Sequence, residues 1–465
     1  MRRVTVLELF FLFLPLLTAS PANAVSEADR LWLVGTHAFD DRLYALAEKM
    51  LDRFVQHHQK DPRAPDAVLL LGKTRLALGS FERAIEDFRR AQRFPIPPGQ
   101  PREAQFWEGE TLFQLKRYPE ARAAYETVVR TPSSPLAPDA YYGLGWVALQ
   151  QTQREAAVRA FRQLLAGGPT HRLAPSAAYY LARTLADLKR PDEVRSALAG
   201  YETAYPDSPW LAEVLYLRGW SQLSTGQFAV ATNTLQSFLA RAPIHELAPQ
   251  AQLQLAEALL RQDKKAEGRQ QLQLLLTASP TTPELLYEIG QLSQRLDSPA
   301  EARQAWGQLQ TQSPTHPLAR RASLELARDA FAQQRYADAV AAATTAAASD
   351  DQEIHLQAYL LIGDSQLRLE RYTAALRTFR TVTEESPRDH PLRLRALAGR
   401  ALAHEHLEQW EDAVRIYQLV TRGSDEVLKK WASERLKAIN VRRKPAGSSK
   451  MPGRTNKFPE PDPRR

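Results

Sequence analysis

Two segments decide the fold: Leu71-Gly72 followed by Ser80-Phe81-Glu82-Arg83-Ala84-Ile85-Glu86-Asp87-Phe88, and Ile362-Gly363 followed by Arg371-Tyr372-Thr373-Ala374-Ala375-Leu376-Arg377-Thr378-Phe379. In each, a glycine is followed nine residues later by an aromatic, twelve later by an alanine and sixteen later by a phenylalanine. The same order runs through most of the chain. A small residue recurs eleven times, at Gly35, Gly72, Gly109, Gly145, Ala182, Gly219, Ala256, Gly290, Ala327, Gly363 and Ala401, in steps of 34 to 38 residues. Twelve residues after each comes a second small residue, Ala47 through Ala413, with Val194 the one larger member.

Such a rhythm is what a stack of helical hairpins requires, because two helices cross closely only where side chains are small. A bulky replacement at a crossing overpacks it, at a cost of about 1–3 kcal/mol. The spacing predicts that helix A of each unit carries its small residue where helix B folds back on it. It predicts that helix B carries its alanine where helix A of the next unit arrives. Large residues such as Leu51, Phe88, Tyr125, Phe161 and Trp306 then fill the remaining space. Proline twelve residues after the second small position, as at Pro169, Pro206, Pro243, Pro280, Pro314 and Pro387, ends helix B, since it has no N–H and clashes with the preceding turn. Each unit touches only its neighbours. The expected fold is therefore all-α: a right-handed α-solenoid of about eleven hairpins over residues 25–424, closed by a capping helix at about 425–440. In that cap Val427, Leu428, Trp431, Leu436 and Ile439 form the apolar face, and Lys429, Lys430, Arg435 and Lys437 the wetter one.

The small residue, aromatic, A-x3-F and proline order resembles the tetratricopeptide repeat. Linkers such as Tyr205-Pro206-Asp207-Ser208-Pro209-Trp210-Leu211-Ala212 and Ser313-Pro314-Thr315-His316-Pro317-Leu318-Ala319 resemble those of tetratricopeptide proteins of the Gram-negative periplasm, the Tol–Pal coordinator and the lipoprotein of the outer-membrane barrel-assembly machine among them. The resemblance implies a non-enzymatic scaffold for envelope assembly or division. The chain departs from both relatives, lacking the lipidated cysteine of one and the coiled-coil segment and low repeat number of the other. A second expectation is an accessory subunit of exopolysaccharide export, where long arrays of this kind accompany secretion pores.

Residues 1–24 read as a cleaved signal peptide: Arg2 and Arg3, an apolar run from Leu9 to Leu17, and Ala22-Asn23-Ala24 as a small-x-small cleavage site. The expected location is periplasmic. With no cysteine in the chain, disulfides, thiolate metal sites and lipidation at the cleavage site are excluded. The net charge of +8 is concentrated at the end of the chain, where residues 441–465 hold eight basic residues against two acidic ones. That segment has little apolar content to pack, and is expected to be a disordered basic tail, able at most to hold the chain peripherally at an anionic surface. The repeats themselves are nearly neutral, which does not suit a nucleic-acid platform.

No Gly-rich phosphate loop, nucleophile elbow or H-E-x-x-H motif occurs. His404-Glu405-His406 places two rings some 200° apart on a helix, too divergent for one metal. No cofactor, metal or catalytic residue is expected. What remains is a surface. The position one residue after the small one varies freely: Lys73, Glu110, Trp146, Arg183, Trp220, Glu257, Gln291, Arg328, Asp364, Leu402. Such variation beside fixed packing positions predicts exposure to solvent or ligand. With the residues three before it, repeats three to six are expected to place Phe106, Glu110, Phe113, Tyr142, Trp146, Tyr179, Arg183, Tyr216 and Trp220 on the concave wall. Such a wall suits an extended protein segment, or a strand of peptidoglycan or exopolysaccharide.

Overall fold

The computed structural model describes residues 26–95, 102–131, 134–278 and 281–443; the expected signal peptide, the tail beyond Arg443 and Pro280 lie outside them. Among the described residues every regular element is a helix. They pair as hairpins: α1 (Glu27–Asp40) with α2 (Tyr44–His57), α3 (Ala64–Ala77) with α4 (Phe81–Ala91), α5 (Glu103–Gln114) with α6 (Tyr118–Val129), and α7 (Ala137–Gln150) with α8 (Arg154–Gly167). In the fifth hairpin α9 (Ala174–Asp187) faces a B helix interrupted at Gly200, giving α10 (Pro191–Ala197) and α11 (Tyr201–Ala204). Then come α12 (Leu211–Ser224) with α13 (Phe228–Arg241), α14 (Ala248–Arg261) with α15 (Lys265–Thr277), and α16 (Pro283–Arg295) with α17 (Pro299–Gln312). The last three are α18 (Pro317–Ala332) with α19 (Tyr336–Ala347), α20 (Gln352–Arg368) with α21 (Tyr372–Glu385), and α22 (Pro391–His406) with α23 (Trp410–Val420). A final helix, α24 (Glu426–Arg443), packs on α23. The chain divides into two compact units, residues 1–217 and 218–465, with the division inside α12.

The two series of residues meet within each hairpin. A Cβ added to Gly72 would lie 2.6 Å from Phe88, one added to Gly109 2.8 Å from Tyr125, and one added to Gly219 2.5 Å from Leu235. At Gly145 and Gly290 the added atom would run into the rings of Phe161 and Trp306. Each glycine thus seats the bulky residue sixteen positions on, and Leu51, Phe88, Phe161, Leu235 and Phe379 are fully buried. Two of these rings touch a second glycine on the next A helix: Tyr125 meets Gly143 as well as Gly109, and Phe379 meets Gly399 as well as Gly363. The second small series is also buried. At Gly268, however, the added Cβ would meet Leu260 and the carbonyl oxygen of Ala256, both on α14. That small residue faces its own hairpin, not the next A helix as expected.

The turn inside each hairpin has one geometry. The residue seven after the small one is left-handed in all eleven, with φ between 55° and 75°. The following N–H reaches back five residues, as in Leu43 to Ala38 (2.7 Å), Gln153 to Ala148 (2.8 Å) and Arg371 to Gln366 (2.8 Å). This is the Schellman closure of a helix C-terminus. Only Gly79 and Gly226 supply the residue that tolerates this backbone freely; the others include Arg42, Thr152 and Glu370. The interhelical turns have a second device eleven residues before the small one. His171, His245, His316 and His390 accept the N–H of the residue two further on through Nδ1, at 3.1–3.3 Å, and Ser134 and Ser208 do the same through Oγ. Nε2 of His171, His316 and His390 turns to Asp139, Glu284 and Glu353 on the preceding A helix. Four of the ten histidines thus share one repeat position. Pro169, Pro206, Pro243, Pro314 and Pro387 each stand two residues past the end of a B helix.

The closing helix differs from expectation in three places. It runs through Val441, Arg442 and Arg443, residues expected in the tail. Its apolar face is Leu428, Trp431, Ala432 and Ile439, while Val427 is 66% exposed. Arg435, placed on the wet side by its charge, is instead folded inward: Nε donates to Glu405 Oε2 at 3.0 Å and Nη2 bonds Oε1. Tyr417 Oη donates to the same carboxylate at 3.0 Å. The three members of the His404-Glu405-His406 motif therefore serve separate ends. His404 bonds Gln409, Glu405 is buried in the cap, and His406 stacks on Tyr372 with centroids 4.5 Å apart.

Candidate interaction surface

In the first unit three residues at the position after the small one, Lys73, Glu110 and Trp146, contact a neighbouring helix. Lys73 Nζ donates to Glu103 on α5 at 2.7 Å and stands 5.4 Å from the ring of Trp107. Glu110 on α5 accepts a hydrogen bond from Tyr125 Oη at 2.6 Å. Burial raises its pKa above the ordinary value; the Tyr125 bond opposes this, and the Asp139 carboxylate on α7 adds to it. Trp146 on α7 meets Tyr180 on α9 edge to face, centroids 4.6 Å apart. Arg183 on α9 is exposed.

Around Trp146 the aromatic rings form one connected group. Tyr142 touches Trp146 (6.2 Å), Phe161 (5.9 Å) and Tyr180 (6.5 Å). Tyr180 lies on Phe161 at 6.3 Å and against Trp210 at 5.5 Å. Tyr179 stacks on Trp210 with centroids 4.4 Å apart and planes 10° from parallel. The Trp210 indole N–H donates to Ser176 Oγ at 3.0 Å. Trp146, Tyr142 and Tyr180 each keep part of their surface in solvent. Edge-to-face and offset pairs at these distances contribute about 0.5–1.5 kcal/mol each beyond area burial, so the exposed rings are held by the buried ones.

The nine residues expected on the wall differ in exposure. Trp146, Tyr142 and Glu110 are partly exposed and Arg183 is exposed. Phe106 and Tyr179 are buried, at 8% and 7% exposure. Phe113 is partly buried at the hairpin turn, its ring against Tyr118 at 5.6 Å, like Phe39 against Tyr44 and Phe331 against Tyr336. Tyr216 and Trp220 are partly exposed on α12, the first in the first unit and the second in the second. Two members of the surface escaped the sequence reading. Tyr180 sits at a position that is glycine in two other repeats, Gly143 and Gly399, so its phase carried no aromatic signal. Trp210 lies in a linker whose residues read as spacing. The variable position is also not always surface. Asp364 is 5% exposed and takes Arg395 Nη2 at 3.0 Å, and Leu402 is 8% exposed.

Glu110 gives a pH test with a definite sign. Its raised pKa means that the folded state binds a proton more readily than the unfolded chain. Protonation then stabilises the fold as pH falls from neutrality toward the ordinary glutamate value of 4.5, and the gain saturates below it. In Glu110→Gln, which keeps an oxygen for Tyr125, stability in that window is expected to lose this slope and to be at least that of the parent at pH 7. Denaturant unfolding at several pH values measures it; a parent that loses stability relative to the variant on acidification contradicts the assignment.

Among the described residues no helix is long and apolar enough to cross a membrane, and no group of three or more His, Asp or Glu side chains is placed to hold a metal. No curated protein matches the sequence. Solved structures similar to the chain include the C-terminal part of a tetratricopeptide repeat-containing protein from Cytophaga hutchinsonii (14% identical, 62% of this chain and 97% of that one, TM-score 0.40); MamA from Desulfovibrio magneticus (18%, 40% and 98%, 0.34); and YrrB, a tetratricopeptide protein with an unusual peptide-binding site (18%, 45% and 96%, 0.36). The tetratricopeptide repeat model matches in seven segments: 35–101, 99–138, 108–154, 142–209, 216–283, 287–354 and 360–426. Repeats of this kind suggest a scaffold for protein–protein interaction, and their fold is typically non-catalytic. With eleven hairpins in phase and the family model matched from residue 35 to residue 426, the chain belongs to the tetratricopeptide repeat family.

Proposed function

We propose that the chain is a non-enzymatic scaffold of the bacterial cell envelope, acting in the periplasm and holding a protein partner on the A-helix surface of its first unit. The observation that carries this reading is the group around Trp146: partly exposed rings fixed by buried ones, beside the exposed Arg183 and the half-buried Glu110. Rigid aromatic and arginine anchors in such settings are the usual centres of binding energy, each contributing about 2 kcal/mol or more on truncation. The compartment rests on residues 1–24, whose composition is that of an export signal. The departures from the Tol–Pal and barrel-assembly proteins leave the scaffold role and compartment as the shared ground.

A photocrosslinker at position 146 in the native host tests the site, with Gln163 on the exposed side of α8 as control. Capture of a protein from 146 and not from 163 is the expected result; capture from 163 alone overturns it. Recovery of the mature chain with the cytosol would overturn the compartment. Tryptophan faces also suit sugar rings, so the accessory role in polysaccharide export makes a separate forecast. Purified protein would retain peptidoglycan or exported polysaccharide, and Trp146→Ala with Trp220→Ala would abolish retention.

A further inference from the structure

At three seams the residue after the small one on one A helix bonds the residue six before the small one on the next. Lys73 Nζ donates to Glu103 at 2.7 Å, Arg328 Nη2 to Gln357 Oε1 at 2.6 Å, and Arg395 Nη2 to Asp364 at 3.0 Å. Between α5 and α7 the same two positions hold Glu110 and Asp139, both acids. Asp139 turns to the linker that follows α8, pairing with Arg172 Nη2 and with His171 Nε2, the latter at 3.2 Å. Glu110 has the Tyr125 hydroxyl, at 2.6 Å, as its one hydrogen bond among the described residues. The Tyr125 ring fixes where that carboxylate stands. The ring is buried, and its tip lies 2.6 Å from the place a Cβ on Gly143 would take. The hydroxyl at that tip therefore holds Glu110 at the surface of α7 beside a residue with no side chain. Trp146 stands one turn further along the same face, with Tyr142 against it at 6.2 Å. Glu110, Tyr142 and Trp146 are all partly exposed. One repeat earlier a comparable group is complete within the chain: Lys73 Nζ lies 2.7 Å from the Glu103 carboxylate and 5.4 Å from the ring of Trp107. At the next seam the position of that lysine belongs to Glu110.

We infer that Glu110 and Trp146 form a subsite for a basic side chain, lysine or arginine, on the protein segment held by the first unit. The inference rests on the Trp146 surface being the binding site and adds the chemistry of what it holds. A carboxylate and an indole face attract the same group: an ammonium or guanidinium that donates to the second oxygen of Glu110 and lies over the ring. Arg172 does not take that place. It is 73% exposed and bonded to Asp139, and its field at Glu110 is weaker than that of Asp139. Two acids and one exposed arginine leave the seam negative. Burial disfavours the charged form of Glu110, and a bound cation offsets that penalty.

The test is calorimetric binding of blocked hexalysine and hexa-arginine peptides to the full chain at low salt, with blocked hexaglutamate as the probe of opposite charge. Glu110→Gln keeps an oxygen for Tyr125 and is expected to weaken binding of the basic peptides by about tenfold, the worth of one charge-assisted bond. Trp146→Ala is expected to weaken it by about two- to fivefold, the size of an exposed cation–π contact, with unchanged helix content. Glu126→Gln removes an exposed carboxylate on α6 that pairs within its own helix with Arg130, and is expected to leave binding unchanged. No weakening in Glu110→Gln, or equal weakening in Glu126→Gln, overturns the subsite, because the attraction is then general charge. Tighter binding of hexaglutamate than of either basic peptide overturns the sign of the ligand. The two readings fail separately. Undiminished capture of a partner from a photocrosslinker at 146 in the Glu110→Gln background leaves the surface standing and overturns the basic side chain. A parent that captures nothing from 146 overturns both.

Discussion

Gly145→Ala is expected to lower the stability of the first unit by about 1–3 kcal/mol, although alanine is the better helix former. The new Cβ enters the ring of Phe161, which is fully buried and also held by Tyr142 and Tyr180. The ring has nowhere to retreat, and the helices have to part. Gly167→Ala on α8 separates the clash from propensity, since nothing lies within 4 Å of its added Cβ. There the change is expected to be neutral or stabilising by about 0.5–1 kcal/mol. The compensating change is visible in the chain itself. Ala182 coexists with Leu198 and Ala256 with Leu272, the branched side chains replacing a ring. Gly145→Ala combined with Phe161→Leu is therefore expected to be less destabilised than the sum of the two single changes. Denaturant unfolding of the four proteins decides it; strict additivity would mean that the two positions do not contest the same space.

Arg435→Ala is expected to cost about 3–5 kcal/mol, concentrated at the C-terminal end of the second unit, because it leaves the buried Glu405 without its guanidinium partner. Glu405 is 4% exposed, so water cannot replace the guanidinium without opening the layer. Helix α24 packs mainly on α23, and in a repeat array such damage stays near its origin. Hydrogen exchange should show α24 and α23 losing protection while α18 and α19 keep theirs. Glu405→Leu introduced together with Arg435→Met should recover much of the loss, since an apolar pair of similar volume avoids the desolvation altogether. Uniform loss of protection through the second unit would contradict a local role for the pair.

The sequence showed the hairpins plainly because contact between helices constrains residue size, and size recurs with the repeat. The glycine at 145 and the phenylalanine at 161 are two sides of one contact. The left-handed turns were hidden for the opposite reason: nine of eleven hold ordinary side chains such as Lys116, Asp297 and Glu408, tolerated because the packed helices fix the turn around them. The direction of Arg435 was illegible because charge predicts the solvent side, and only the buried carboxylate thirty residues earlier reverses that. At the candidate surface, Trp146 and Arg183 stood out by varying at a fixed phase. Tyr180 and Trp210 did not, because their role depends on rings meeting across two hairpins and a linker. The same limit misplaced Asp364 and Leu402, where a free-looking position is covered.

The rings of Tyr125 and Phe379, each lodged against glycines on two successive A helices, bear on how such an array can be rearranged. Lengthening or shortening by whole hairpins needs breakpoints that leave matched surfaces on both sides. A cut between the third and fourth hairpins strands Tyr125 without Gly143, and one between the tenth and eleventh strands Phe379 without Gly399. Insertion or deletion of whole hairpins is therefore expected to disturb packing least at seams other than these two.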